Sequence, residues 1–299
     1  MKKYLLRFYN WLYEWKCTII NDMVLAKIKK PTVHDSTKAI QLIVDKGYSM
    51  CRFGDGEFSL IRGEDLKFQN CHKKLAEELY RILKYPDEAK ECLICIPDIF
   101  EDNRKYTSVA RNYWKRYLHY NINKIYKLLR FDKEYYNSLI TRFYIDYENR
   151  DDAVIKVNQL KSIWRDKKIL IIEGEKSRLG MGNDLFAGAL QIKRLVCPAI
   201  NAYDVIDDIE NKVSEIDDYD LILIALGPTA TVLAYRLYLK GYQALDIGHV
   251  DIEYEWCLKG AEKKEPVQNK YIGEIPGGDI VADCVDEEYQ KQVVGRIGI

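Results

Sequence analysis

The feature that most constrains this chain is a series of short apolar runs, each separated from the next by a segment with helical periodicity. Four runs in the second half are apolar on both sides of an extended chain: Lys168–Ile172, Arg194–Cys197, Leu221–Leu226 and Ala244–Ile247. Strands of that kind are buried on both faces, and helices between them allow parallel pairing. We therefore predict an α/β fold with a Rossmann-like, mostly parallel sheet and helices on both of its faces.

The other predicted elements follow from the same patterns. Further strands are expected at 48–51, Cys92–Ile96 and Thr141–Ile145. Helices are expected at 35–46, His72–Leu83, 105–130, Ala153–Trp164, from about Asp184, at Val205–Ile216 and at Thr229–Lys240. The tail after about Lys259 has mixed polarity and is expected to wrap the surface.

The N-terminal segment predicts an amphipathic helix over residues 3–28. Its apolar and aromatic residues recur at helical spacing: Tyr4, Leu5, Phe8, Leu12, Trp15, Ile19 and Ile20. Through Lys30 there are seven basic residues against two acidic ones. Two interpretations stay open: peripheral contact with a membrane interface, or docking on the body of the protein or on a second copy. The predicted organisation is a helical extension at 1–34 and one α/β domain at 35–299.

Composition narrows the class of protein. Lys+Arg and Asp+Glu number 46 each, which argues against a nucleic-acid binder because such proteins carry a basic surplus. No apolar run approaches the roughly 20 residues of a membrane span, and no secretion signal is recognisable. Eight scattered cysteines, with Cys92 and Cys95 inside an apolar run, indicate reduced, buried thiols in a cytoplasmic protein and no zinc site.

Two carboxylates, an arginine and two glycines lie in the turn Arg52–Phe58, directly after a predicted strand. If the chain is extended there, Asp55 and Glu57 point to the same side and can share one hard cation. Arg52 would then pair with a phosphate oxygen. A turn with solvated acids beside a structural ion pair is the alternative.

The segment 177–184 is the candidate diphosphate-binding loop. Gly180 and Gly182 would let backbone N–H groups face an anion at the start of a helix, and Ser177 and Arg178 offer further donors. The third glycine of the dinucleotide fingerprint is missing, so NAD is disfavoured, and a tight turn is the alternative. Thr229 begins another predicted helix, which is either a second anion site or a routine helix start.

A histidine and four carboxylates are concentrated in the segment Asp246–Trp256. His249 is suited to proton transfer near neutral pH, and a carboxylate such as Asp251 could do the same work or ligate a cation. A structural role for the histidine is the alternative. All these loops follow predicted strands, and the carboxyl ends of parallel strands form one crevice where ligands bind.

The chain resembles the GT-D-fold glycosyltransferases, once known only as a domain of unknown function. The resemblance extends over roughly Ser36–Glu274 and rests on four motifs in order: R-F-G-D-G-E (52–57), E-G-E-K-S-R-L-G-M-G-N-D-L-F (173–186), L-G-P-T-A-T-V-L-A (226–234) and D-I-G-H-V-D-I-E-Y-E-W (246–256). It implies a divalent metal held through a D-x-E motif, which Asp55 and Glu57 match. It also places a nucleotide sugar against the loop that ends in Asn183 and Asp184, and His249 near the transferred sugar.

The sequence thus predicts a cytoplasmic glycosyltransferase that depends on Mn²⁺ or Mg²⁺. The expected donor is a UDP-sugar, and the expected acceptor is a glycan or lipid-linked glycan in surface polysaccharide or glycoprotein synthesis. A metal-dependent phosphohydrolase of nucleotide sugars and a non-catalytic nucleotide-sugar-binding subunit are the alternatives.

Overall fold

The sheet is all-parallel and has nine strands in the computed structural model, which describes residues 2–283 and 286–299. The strands are β1 (Thr32–His34), β2 (Ser49–Arg52), β3 (Cys92–Ile96), β4 (Glu134–Asn137), β5 (Lys168–Gly174), β6 (Gln191–Cys197), β7 (Leu221–Ala225), β8 (Ala244–Asp246) and β9 (Val293–Arg296). Their order across the sheet is β1-β4-β3-β2-β8-β7-β5-β6-β9. The predicted fold class is confirmed.

Ten α-helices occur in the described residues. They are α1 (Lys2–Leu25), α2 (Ser36–Lys46), α3 (Asp55–Ile61), α4 (Lys73–Leu83), α5 (Ser108–Leu128), α6 (Ala153–Lys161), α7 (Ile206–Glu215), α8 (Pro228–Leu239), α9 (Val250–Lys259) and α10 (Glu287–Gln292). Short 3₁₀ helices lie at Ser138–Thr141 and Ala202–Val205.

Alternate residues of the strands build two cores, one on each face of the sheet. In β5, Leu170 and Ile172 belong to one core, whereas Ile169 and Ile171 belong to the other. Residues of α4, α5, α7 and α8 complete the first core. Residues of α2, α6 and α9 complete the second. Helices therefore cover both faces, as the continuous apolar strands predicted.

Several predicted elements are wrong. The strand expected at Thr141–Ile145 is a 3₁₀ turn and a buried loop, and the strand itself lies earlier, at Glu134–Asn137. No helix begins near Asp184, where the chain forms a series of turns. The tail does not only wrap the surface, because its strand β9 pairs with β6. The cysteine at position 284 lies outside the described residues.

The predicted N-terminal helix is present as α1, and it packs on α5. The buried Asn21 amide donates to the carbonyl of Lys115 at 2.8 Å, and Cys17 is fully buried beside it. β1 falls within the predicted extension but pairs with β4 in the sheet. None of the helices in the described part of the chain has the length and apolarity of a transmembrane span.

Candidate active site

The boundary between β2 and β8 is a topological switch point of the sheet. The chain leaves β2 toward β3 on one side, and after β8 it continues to β9 at the opposite edge. Because all the strands run parallel, their carboxyl ends lie at the same edge, and a crevice opens where the connections diverge. Arg52 ends β2 and Asp246 ends β8, so the two most polar strand ends meet at this crevice.

Arg52 connects the segments that form the crevice. Its Nη2 donates to Asp246 Oδ1 and its Nε to the Asp246 carbonyl, both at 2.8 Å. Its Nη1 donates to Thr141 Oγ1 at 2.8 Å. The Thr231 hydroxyl, at the start of α8, lies 2.8 Å from the Arg52 carbonyl and 3.2 Å from Asp246 Oδ2. Three of the four predicted loops are therefore joined directly.

Gly248 is required at the wall of this crevice. Its φ is +43°, and a Cβ added there would lie 1.9 Å from Arg52 Nη2. Any side chain would strain the backbone and push the guanidinium away from Asp246. The glycine two residues after the strand-end aspartate thus keeps Arg52 in position.

Asp55 and Glu57 lie in one turn of the chain, but its backbone differs from the prediction. The turn is not extended: both residues belong to the first turn of α3. Glu57 folds back so that its Oε2 accepts a hydrogen bond from the Gly54 N–H at 2.6 Å. Asp55 accepts a hydrogen bond from the Tyr113 hydroxyl of α5. The helix start, rather than alternation along a strand, brings the two carboxylates to the crevice.

The electrostatics of this turn fit a cation. Burial raises the pKa of Glu57 to about 7, the Gly54 N–H opposes the shift, and negative charge on Asp246 and Asp55 adds to it. Burial also raises the pKa of Asp246, against the effect of Arg52. Within the described residues no group of three or more His, Cys, Asp or Glu is arranged to hold a metal alone. Mg²⁺ or Mn²⁺ at Asp55 and Glu57 would therefore need phosphate and water ligands as well.

His249 lies at the same strand end, in a charged network. Its Nε2 is 3.3 Å from Glu274 Oε1, and Glu274 accepts hydrogen bonds from both terminal guanidinium nitrogens of Arg142. Lys264 Nζ lies 3.0 Å from Glu274 Oε2. Burial lowers the pKa of His249 to about 4; Glu274 opposes the shift, whereas Arg142, Arg52 and Lys264 favour it. The imidazole is neutral at pH 7.

The predicted diphosphate loop uses most of its polar groups within the fold. Arg178 is buried, and its guanidinium donates to the carbonyls of Asn269 at 3.0 Å and Ala282 at 2.6 Å. Asp251 Oδ1 accepts from the Gly180 N–H at 2.9 Å and from Asn183 Nδ2 at 2.8 Å. These contacts argue against Arg178 as a free phosphate donor.

The second oxygen of Asp251 is also occupied, by Lys270 Nζ at 2.7 Å. Burial raises the pKa of Asp251 and Lys270 opposes the shift. The role of Asp251 as a base remains a prediction, but its contacts make it the residue that fixes the loop to α9. Asp184 is bound by Lys161 Nζ at 2.9 Å and by the Tyr254 hydroxyl.

Among the remaining predicted donors, Gly182 is the one that faces solvent. An added Cβ there would meet no atom within 4 Å, and its φ is +76°. Ser177 is half-buried, and its N–H donates to the Gly174 carbonyl at 2.8 Å. Thr229 is fully buried, with its hydroxyl 3.2 Å from Gln69 Oε1, so it supports the start of α8 from inside.

A cleft of about 620 Å³ between α1 and α5 adjoins the Asp55 turn. It is lined by Glu14, Asn112, Tyr113, Arg116, Tyr117 and Tyr120, among others. Tyr113 connects the two sites, because its ring lines the cleft while its hydroxyl binds Asp55. Burial raises the pKa of this phenol, so it is a hydrogen-bond donor at neutral pH.

Sequence reasoning did not single out four residues that organise the site: Tyr113, Arg142, Glu173 and Glu274. Tyr113, Arg142 and Glu274 lie far along the chain from the motifs they contact, so no local sequence pattern marks them. Glu173 had a signal, because an acid that ends a run of buried apolar residues must find a partner. Its Oε1 pairs with Arg194 at 2.6 Å and its Oε2 accepts from the Leu179 N–H at 2.7 Å.

The fold is that of an α/β glycosyltransferase. The chain belongs to the GT-D-fold glycosyltransferase family, whose model matches residues 50–275. The family predicted from the four motifs is thereby confirmed, as is the enzyme class at that level.

Two curated relatives come from streptococci. "Glycosyltransferase GlyD" of Streptococcus pneumoniae serotype 4 is 35% identical over 279 residues, which cover 93% of this chain and 34% of that protein. "Probable glycosyl transferase Gly" of Streptococcus gordonii is 38% identical over 260 residues, which cover 87% of this chain and 38% of that protein. The chain thus spans a little over a third of the length of these relatives.

Two solved structures are similar along their whole length. A domain of unknown function 1792, described as having a distinct glycosyltransferase fold, matches with a TM-score of 0.87 and 36% identity, covering 93% of this chain and 100% of that one. "A New Glycosyltransferase (DUF1792)" from Streptococcus sanguinis matches with a TM-score of 0.85 and 37% identity, covering 90% and 100%.

Proposed function

We propose that this protein transfers a sugar from a nucleotide-diphosphate donor, with UDP-sugars as the first choice, to a hydroxyl group of a glycan or lipid-linked glycan. The observation that carries the proposal is the crevice itself. It gathers Arg52, Asp55, Glu57 and Asp246 at a switch point, and burial raises the pKa of Glu57 to about 7. An excess of buried negative charge in a ligand-binding crevice is stabilised by a cation, and a cation there can hold a diphosphate.

Asp55 and Glu57 would hold Mn²⁺ or Mg²⁺, which neutralises the negative charge that develops on the departing diphosphate. Arg52 ends the preceding strand β2, where Asp246, Thr141 and the Ser138 carbonyl accept its hydrogen bonds, so it would act on the same diphosphate as a fixed positive charge and not as a free hydrogen-bond donor. Gly182 offers exposed backbone at the rim of the second loop. Ser177, Asn183 and Asp184 belong to the wall that shapes that loop.

His249 is the proposed base of the transfer. The acceptor oxygen bonds to the anomeric carbon as the bond from that carbon to the diphosphate oxygen breaks, and the nucleoside diphosphate leaves with the electron pair. The acceptor proton passes to the imidazole, which is neutral beforehand. Glu274 Oε1 lies 3.3 Å from Nε2, so its carboxylate would stabilise the imidazolium that forms.

The acceptor would approach through the cleft between α1 and α5. Tyrosine rings and side-chain amides line this cleft. One of these tyrosines, Tyr113, donates its hydroxyl hydrogen bond to Asp55. Aromatic faces with a few polar groups suit a sugar ring, which has apolar C–H faces and polar edges. The proposed place of action is the cytoplasm, in the synthesis of a surface polysaccharide or glycoprotein glycan.

The test compares Asp55→Ala and Glu57→Ala with Glu64→Ala, which removes an exposed carboxylate near the end of α3. Binding of UDP with and without Mn²⁺ is measured by calorimetry, and transfer from UDP-sugars is measured as UDP release across an acceptor panel. We expect the first two variants to lose Mn²⁺-dependent UDP binding and at least about 100-fold in transfer. The Glu64 variant should behave as the wild type.

Other outcomes point to other functions. UDP-sugar cleavage that no acceptor accelerates would indicate a phosphohydrolase. Tight binding of a UDP-sugar without turnover of any acceptor would indicate a non-catalytic subunit. Full activity of both carboxylate variants would refute the assigned cation site.

A further inference from the structure

We propose that the layer formed by α1 and α5 docks on an anionic lipid bilayer, with the exposed aromatic face of α1 lying in the headgroup region. The inference goes beyond the sugar-transfer reaction and does not depend on it. It rests on three observations: a long apolar stripe, a local surplus of positive charge, and the attachment of the opposite face of α1 to the protein.

The apolar stripe faces away from the protein. Cys17 and Asn21 of α1 are buried against α5, whereas the other side of the helix is exposed. That side carries nine large apolar residues: Tyr4, Leu5, Phe8, Tyr9, Trp11, Leu12, Trp15, Ile19 and Met23. α1 has 24 residues, so the stripe lies along a helix of about 36 Å. Contiguous exposed apolar surface of this size marks an interaction site.

Positive charge is concentrated in the same layer. α1 and α5 together contain nine Lys or Arg and two Asp or Glu, whereas the whole chain is neutral. α5 alone has five basic residues and no acidic one. The rest of the chain is therefore acidic, and this layer is its basic side. Trp, Tyr, Phe and Leu on one face with Lys and Arg around them are typical of helices that bind anionic membrane surfaces.

The charge also argues against a second copy of the chain as the occupant. A two-fold contact through this stripe would bring the two basic layers together, and juxtaposed like charges oppose association. A bilayer with anionic headgroups can both bury the apolar stripe and attract the positive charge of this layer. None of the described helices can span a bilayer, so the contact would be peripheral.

The tryptophans give this proposal a local readout. The chain has five, and Trp114, Trp164 and Trp256 are buried, whereas Trp11 and Trp15 are each 58% exposed. A blue shift of tryptophan emission on adding vesicles would therefore report burial of α1. The full chain is titrated with vesicles of phosphatidylcholine alone or mixed with phosphatidylglycerol, and binding is measured in parallel by flotation.

We expect binding and a blue shift with the mixed vesicles, at least tenfold weaker binding to phosphatidylcholine alone, and a decrease as salt is raised. The double variant Trp11→Ser/Trp15→Ser should bind at least tenfold more weakly, as should Lys124→Glu/Lys127→Glu on α5. Tyr80→Ser removes an aromatic ring of α4 that is 44% exposed and should bind as the wild type. Near-ultraviolet circular dichroism of the buried tryptophans checks that every variant is folded.

No binding to the mixed vesicles would overturn the proposal. Equal, salt-independent binding to both vesicles would overturn its electrostatic part. If the wild type does not bind vesicles but forms a dimer in light scattering, and the double tryptophan variant is a monomer, the stripe would be assigned to a second copy instead. None of these readouts requires sugar transfer, so they separate failure of this proposal from failure of the proposed function.

Discussion

The turn 52–58 and the loop 177–184 have similar compositions but use their charged groups differently. Each contains an arginine, two glycines and at least one acid. In the loop, Arg178 binds two backbone carbonyls, and the neighbouring Glu173 pairs with Arg194. In the turn, Arg52 is likewise paired, with Asp246, but burial raises the pKa of Glu57 and no basic side chain is among the main contributors to that shift. Charges that are paired inside the fold stabilise it, whereas charges left without an opposite partner are available to a ligand.

The largest expected difference is in stability. Glu173→Ala leaves Arg194 buried without its carboxylate, so the free energy of unfolding should fall by about 3–5 kcal/mol in urea titrations. Glu57→Gln should lower the free energy of unfolding by less than about 1 kcal/mol, or raise it, because the amide removes a buried charge that lacks a cation. Asp102→Ala, which breaks an exposed ion pair with Arg104, is the control and should cost at most about 1 kcal/mol. Equal losses for Glu173 and Glu57 would erase the contrast between the two regions.

Gly248→Ala should have an intermediate effect, confined to the crevice. The added methyl group would displace the Arg52 guanidinium, since its Cβ would lie 1.9 Å from Nη2. We expect kcat/KM for the donor to fall about tenfold or more, and the free energy of unfolding to fall by about 1 kcal/mol from the positive φ. Gly260→Ala, at the end of α9, is the matched control, because its φ is also positive (+61°) and an added Cβ would meet no atom within 4 Å. If both variants lose activity equally, strain rather than Arg52 would explain the effect.

The smallest expected signal is the titration of His249. Burial and three nearby cations place its pKa at about 4, below the ordinary value of 6.5. The chain has four histidines, and His249→Gln assigns the relevant imidazole resonance in a pH titration by NMR. Between pH 6.5 and 4 the unfolded chain binds this proton and the folded chain does not. The free energy of unfolding should therefore decrease as the pH is lowered from 6.5 to 4, and it should decrease more for the wild type than for the variant. A midpoint near 6.5 would contradict the lowered pKa assigned to His249.

Much of the fold followed from the sequence because buried parallel strands leave long apolar runs. β3, β5 and β7 were predicted within two residues of their bounds for that reason. The edge strands β1 and β9 were missed, since short strands on a sheet edge carry little apolar pattern. α3 was missed because seven residues that include Gly56 show no helical periodicity. The apolar run 141–145 is buried as a loop, which periodicity cannot distinguish from a strand.

The site was predicted in part. The motifs led to Arg52, Asp55 and Glu57 at one crevice, and Arg52 contacts the segment that carries His249 through Asp246. Sequence could not show that Arg178 and Asp251 use their polar atoms inside the protein, because their partners Asn269, Ala282 and Lys270 lie about 20 to 100 residues away. The sequence shows which chemical groups a loop carries, but the direction in which each side chain points depends on distant segments.

The dependence of the loop 177–184 on the tail has a consequence for folding order. Arg178 needs the carbonyl of Ala282, and Glu173 accepts a hydrogen bond from Tyr289 at 3.0 Å. During synthesis the turn 52–58 can meet its β8 partners once residue 250 has emerged. The loop must wait for some forty residues more, so it reaches its final hydrogen bonding after the turn 52–58 has met β8.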